Sequence, residues 1–113
     1  NELISKIDEA KSIMRESLHN KIDLELIATN LNMSYSNFRK IFKKIVGVSP
    51  LSYFNQMKIE EAKLLLSTTN ISIKEISFLL SYDSPEAFSV YFHKKTKLTP
   101  SQYRSIGFVK NNL

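Results

Sequence analysis

The chain contains no cysteine. That removes disulfide frameworks, thiolate zinc sites and thiol nucleophiles together, and it is compatible with a cytoplasmic home. No apolar run approaches the about 18–20 residues of a membrane span, and no leader pattern opens the chain. Glycine is reduced to two residues and proline to three, so little interrupts a helix. Strand-like alternation is equally scarce: Ile71-Ser72-Ile73 is too short to count. His19 and His93 stand far apart without partner ligands, and Glu60-Glu61 lies in a solvated stretch. No nucleophile, phosphate-cradling loop or metal constellation is present, so neither a metal, a cofactor nor an enzyme activity is expected.

Acid is missing from two stretches, and this absence is the most informative one. Residues 34–58 carry Arg39, Lys40, Lys43, Lys44 and Lys58 with no carboxylate; residues 94–113 carry Lys94, Lys95, Lys97, Arg104 and Lys110, again with none. The acids gather in residues 1–33 and 59–93, although the whole chain is +5. Two basic blocks separated by an acidic one point to two contact zones on a polyanion. The 113 residues, 42% hydrophobic, suffice for one compact domain or two small subdomains sharing a spine. Asn1 at the start, where a complete protein would have Met, fits a piece of a longer one.

The spine is Ser49 to Leu66. Ser49 suits an N-cap and Pro50 the first helical position, where its missing N–H costs nothing. Leu51, Phe54, Met57, Ala62 and Leu65, widened by Tyr53 and Leu64, form an apolar stripe at helical spacing. Before it, the spacing predicts helices over Glu2 to Leu18 (Leu3, Ile7, Ala10, Met14 and Leu18 inward, helped by Ile4), Leu24 to Leu31 capped by Asp23, and Tyr35 to Val46 capped by Ser34. Leu24, Ile27, Ala28 and Leu31 face inward on the second of these; Phe38, Ile41, Phe42 and Ile45 do so on the third. Gly47 ends the third helix where a left-handed residue is wanted. After the spine, Ser72 and Glu75 have capping-box spacing before a helix over Ile73 to Ser81, with Ile76, Leu79 and Leu80 inward. Ser84-Pro85 opens a sixth helix to Thr96, burying Phe88, Tyr91 and Phe92. Thr99-Pro100-Ser101-Gln102 opens a short seventh with a second capping box, and the tail from Gly107 to Leu113 is expected to fray.

The two halves repeat. Phe38, Phe42, Lys44, Pro50 and Tyr53 recur at Phe88, Phe92, Lys94, Pro100 and Tyr103, a shift of 50; Ile27 and Leu31 recur at Ile76 and Leu80 at 49, so the second turn is one residue longer. Each copy is a short helix, a tight turn and a second helix with a basic end, the helix-turn-helix pattern. The buried positions leave Ser36, Arg39, Lys40 and Lys43 outward in the first copy, and Glu86, Ser89, Val90 and His93 in the second. Arg39 has the fork for guanine O6 and N7, and Lys40 reaches guanine or phosphate. Asn37, near the helix start, suits a base edge or a phosphate. In the second copy Ser89 and His93 can hydrogen-bond, Val90 matches a thymine methyl, and Glu86 accepts from a cytosine amine but is repelled by phosphate. The first copy is therefore expected to supply most direct readout, and the second to anchor through Lys94, Lys95 and its helix N-terminus. The five tyrosines and seven phenylalanines fall mostly on core periodicity, against stacking on single-stranded bases.

Leu24-Glu25-Leu26-Ile27-Ala28, Met33 to Lys44, Gly47-Val48-Ser49-Pro50 with Tyr53, Lys58 to Leu66, Ile73 to Ser77, Ser84 to Phe88, Phe92-His93-Lys94 and Leu98 to Arg104 together resemble the C-terminal DNA-binding domain of AraC/XylS-family transcription regulators. The similarity runs from about Leu3 to Arg104, and the closing Thr-Pro-x-x-Tyr-Arg is its most specific part. The resemblance implies an all-α fold of seven helices: two homeodomain-like helix-turn-helix subdomains, about residues 3–48 and 72–106, joined by a long central linker helix, 49–66. It implies sequence-specific binding of double-stranded DNA, with two recognition helices in successive major grooves, as the cytoplasmic output domain of a bacterial transcriptional regulator, activator or repressor.

On that basis the DNA-facing residues are Ser34, Ser36, Asn37, Arg39, Lys40, Lys43 and Lys44 of the first unit. In the second they are Ser84, Glu86, Ser89, Val90, His93 and Lys94. The implied partners are double-stranded DNA, RNA polymerase and an N-terminal effector or dimerisation domain outside this chain; no membrane is implied. Three positions depart from the family pattern: Ser81-Tyr82 where Gly-Phe is usual, Lys97 where Gly is usual, and Lys58 where Arg is usual. If the turns are kept, Ser81 and Lys97 need left-handed backbone at about 1 kcal/mol each. The competing reading is a helical protein-interaction domain with residual non-specific DNA affinity.

Overall fold

The structure, a computed structural model, describes the backbone of residues 1–111 and the side chains of residues 1–107. The described residues form seven α-helices and no strand: α1 (Glu2–Glu16), α2 (Leu24–Asn30), α3 (Tyr35–Val46), α4 (Pro50–Thr68), α5 (Ile73–Leu79), α6 (Pro85–Thr96) and α7 (Pro100–Asn111). Their starts follow the expected chemistry. The side-chain oxygens of Asp23, Ser34, Ser49, Ser72 and Ser84 each accept from a backbone N–H three residues on, at 3.0–3.2 Å, so each first turn has one fewer orphan donor. Thr99 and Gln102 complete a reciprocal box: Gln102 N–H donates to Thr99 Oγ1 at 3.1 Å, and Thr99 N–H to Gln102 Oε1 at 2.9 Å.

The chain divides into two compact units, Asn1–Met57 and Lys58–Leu113. Each has its own core. The first buries Ile7, Ala10 and Met14 of α1, Ile27 and Ala28 of α2, Leu31 and Met33 of the turn, Phe38 and Phe42 of α3, and Phe54 of α4. The second buries Ile59, Ala62 and Leu66 of α4, Ile76 of α5, Leu80, and Phe88 and Phe92 of α6. Phe54 and Ile59 thus serve different cores from one helix, which is why the apolar stripe read along α4 was misplaced at its edges. Leu51 and Leu64 are exposed, while Ile59 and Leu66 are buried. Leu3, Ile4, Ile45 and Leu79 are likewise exposed, against expectation. Leu3 and Ile4 lie in the first turn of α1, and Ile45 and Leu79 in the last turns of α3 and α5, so all four sit at helix ends.

Lys58 is the largest departure from the charge reading. It is 7% exposed, with its ammonium 5.3 Å from the Tyr82 ring centre. It leaves the basic block and becomes part of the second unit's interior, its charge set against an aromatic face. At the other end, α7 continues past Gly107 to Asn111, where fraying was expected; Asn112 and Leu113 lie outside the described residues. A Cβ at Gly107 would meet Ser67 Cβ at 3.3 Å. This glycine therefore permits close approach of α7 to the end of α4 and does not end the helix.

Candidate nucleic-acid interface

The geometry of each unit begins at its turn. In the first, Leu31 N–H donates to the Ile27 and Ala28 carbonyls, Asn32 takes φ +59°, and Met33 N–H closes back on the Ala28 carbonyl at 2.9 Å. The second repeats this with Ser81 at φ +57° and Tyr82 N–H on the Ser77 carbonyl at 3.0 Å. This six-to-one closure satisfies the carbonyls that the end of a helix leaves orphaned. The next helix then starts from Ser34 in one unit and, one residue later, from Ser84 in the other.

Aromatic pairs hold each second helix at a set rotation. Phe38 and Phe42 meet edge to face at 5.8 Å and Phe42 meets Tyr53 at 5.5 Å; Phe88 and Phe92 meet at 5.7 Å and Phe92 meets Tyr103 at 5.6 Å. With these rings inward, the opposite face must point to solvent. On α3, Ser36, Asn37, Arg39, Lys40, Lys43 and Lys44 are all exposed, as is the cap Ser34. Ser36, Arg39, Lys40 and Lys43 line a shallow open concavity of about 340 Å³ together with Ser49. Among the described residues no carboxylate bridges to these cations. The Arg39 guanidinium lies 5.5 Å from the Tyr35 ring, which steadies it without using up its hydrogen-bond donors. Sequence reasoning missed two of these features. The Tyr35–Arg39 pairing was legible as an i, i+4 spacing, whereas Ser49 joins the concavity only because the turn at Gly47, φ +98°, brings it back.

On α6 the same positions carry different chemistry. Glu86, Val90, His93 and Lys94 are exposed, whereas Ser84 and Ser89 are half-buried. Lys95, expected to anchor phosphate, has its ammonium 5.5 Å from the Tyr91 ring. The four outward positions of α3 sum to +3, those of α6 to −1 with His neutral. Lys97 closes α6 at φ +68°, as Gly47 closes α3, each N–H donating to the carbonyl four residues back at 2.8 Å. The left-handed positions required of Ser81 and Lys97 are therefore present.

A family model described as a helix-turn-helix domain matches residues 27–106. A solved transcriptional regulator of Chromobacterium violaceum, titled as AraC-type DNA-binding domain-containing, superposes with a TM-score of 0.84 at 25% identity, covering 91% of this chain and 92% of that one. The chain belongs to the AraC-type helix-turn-helix family. As an AraC-type domain it is also similar to the DNA-binding domain of AdpA, solved in complex with a target DNA. That match has a TM-score of 0.85 at 26% identity and covers 92% of this chain and 94% of that one. Among curated relatives, the MmsAB operon regulatory protein of Pseudomonas aeruginosa is 36% identical over 98 residues, which are 87% of this chain and 32% of the relative. The chain thus spans about a third of that relative's length. No helix among the described residues is long and apolar enough to cross a membrane.

Proposed function

We propose that this AraC-type domain binds double-stranded DNA sequence-specifically, as the output module of a bacterial transcriptional regulator acting in the cytoplasm. Helix α3 lies in one major groove and α6 in the next. Arg39 reads a guanine through O6 and N7, Ser36, Asn37 and Lys40 contact base edges or nearby phosphates, and Lys43 and Lys44 neutralise phosphates. Ser34 and Ser84 present the capped N-termini of their helices to the backbone. Glu86, Ser89, Val90 and His93 face the second groove, with Lys94 on its rim. In the full-length regulator an N-terminal effector or dimerisation domain and RNA polymerase are the further partners, and no catalysis is involved.

One observation carries this reading. The outward faces of α3 and α6 occupy the same i, i+3, i+4, i+7 positions of a repeated unit, and each is left open by a matching aromatic core. The DNA complex of the AdpA domain adds support. Selection from a random duplex pool followed by gel shift tests it. A consensus with two half-sites about one duplex turn apart is expected, with affinity falling steeply as salt rises. Arg39→Ala should relax preference at one guanine by about 1–3 kcal/mol. Salt-dependent binding without a consensus would instead favour a protein-interaction domain with residual DNA affinity.

A further inference from the structure

We infer that α6 recognises the 5-methyl group of a pyrimidine, with Val90 as the reader, so that 5-methylcytosine can stand in for thymine at one position of the target. This rests on the proposed DNA-binding reading and adds to it the chemical group that the second unit selects.

Val90 is 70% exposed, more than any other large hydrophobic side chain among the described residues. A lone exposed valine on an arbitrary surface needs no explanation. This one lies at the centre of the outward face of α6, between Glu86 four residues before it and His93 three after. Its counterpart in the first unit is Lys40, equally outward, so the fold itself does not ask for an apolar residue there. An exposed valine also lowers helix propensity, a cost that nothing inside the unit repays.

Its stiffness is what suits it to the task. In a helix a valine holds one χ1 rotamer about nine times in ten, so both methyls point in a fixed direction and little freedom is lost on contact. Ser84 anchors the first turn of α6 through Ala87 N–H at 3.0 Å, and Phe88 and Phe92 lock the helix rotation. The Glu86 carboxylate repels phosphate and so favours placing this face against base edges. In the major groove the apolar feature of an unmodified base pair is the thymine 5-methyl. A methyl at C5 of cytosine occupies the same place.

The test uses the 113-residue chain and the duplex selected from the random pool. Each thymine is replaced in turn by uracil, and one T·A pair by C·G with and without the 5-methyl. At one thymine, uracil should weaken binding roughly fourfold, the worth of one buried methyl. Val90→Ala should bind the thymine duplex about as weakly and show no further loss with uracil. At that position 5-methylcytosine should bind tighter than cytosine by a similar factor. A flat uracil scan, or uracil sensitivity that persists in Val90→Ala, overturns the inference. If Arg39→Ala still loses its guanine preference in that case, the DNA-binding reading stands and only the methyl reading falls. No consensus from the pool overturns both.

Discussion

At the scale of single residues, three non-glycine positions among the described residues hold left-handed backbone: Asn32, Ser81 and Lys97. Asparagine tolerates that region better than serine or lysine, since its short amide bonds locally. Lys97 occupies the place that Gly47 fills in the first unit, and an added Cβ at Gly47 would meet nothing within 4 Å. The preference for glycine at this site is therefore conformational and not steric. Lys97→Gly should raise stability by about 1 kcal/mol, read as a higher denaturant midpoint with unchanged slope. Tyr82 makes a second prediction. Burial, with Tyr91 adding, pushes its phenol from the ordinary 10.0 up to about 12. The unfolded chain releases this proton near 10 while the folded one holds it to about 12. Stability from this group is thus complete below pH 10 and lost as pH rises through that window. Urea melts from pH 9 to 12 should show the decline, and Tyr82→Phe should make it shallower.

At the scale of elements, helix starts were legible in the sequence and helix ends were less so. A start is written locally, in a Ser, Thr or Asp and the residues just after it; the end of α4 is not. Its Ser67-Thr68-Thr69 run sends hydroxyls back to carbonyls four residues earlier. Arg104 then reaches from α7, with Nε 3.1 Å from the Leu66 carbonyl and Nη2 3.3 Å from that of Thr69. A guanidinium at a helix C-terminus satisfies orphan acceptors and meets the negative end of the dipole. This gives a physical reason for the arginine that closes the Thr-Pro-x-x-Tyr-Arg signature. Arg104→Ala should cost about 2 kcal/mol, and Arg104→Lys should recover only part of it, because a single ammonium cannot span both carbonyls. Thermal melts of the three proteins would check the order. The outward faces of α3 and α6 were legible because aromatic positions at period 3.6 leave only one side free. Ile45 and Leu79 were misassigned because they fall in the last turns of α3 and α5, and periodicity finds an apolar face without showing how far along the helix it is covered.

At the scale of the whole molecule, two cores that share no residue among those described give each unit its own source of stability. Phe92→Ala removes a fully buried ring from the second and should cost about 3–5 kcal/mol. Amide exchange should then quicken first among residues 58–111, while protected amides of α1 to α3 change little. Equal loss of protection throughout both units would show that they unfold as one.

Composition, capping and the 50-residue shift by themselves determined the seven-helix order, the paired helix-turn-helix units, the outward residues of α3 and three of the four read as outward on α6; Ser89 is half-buried instead. All of these follow from short-range spacing: the helical period sets the faces, and caps and turns set where they begin. The tertiary structure alone decided that Lys58 turns inward beside Tyr82, that Gly107 admits Ser67, and that Arg104 finishes α4. Each of these joins residues at least 24 positions apart in the chain, and no local pattern specifies which distant segment will arrive to complete a contact.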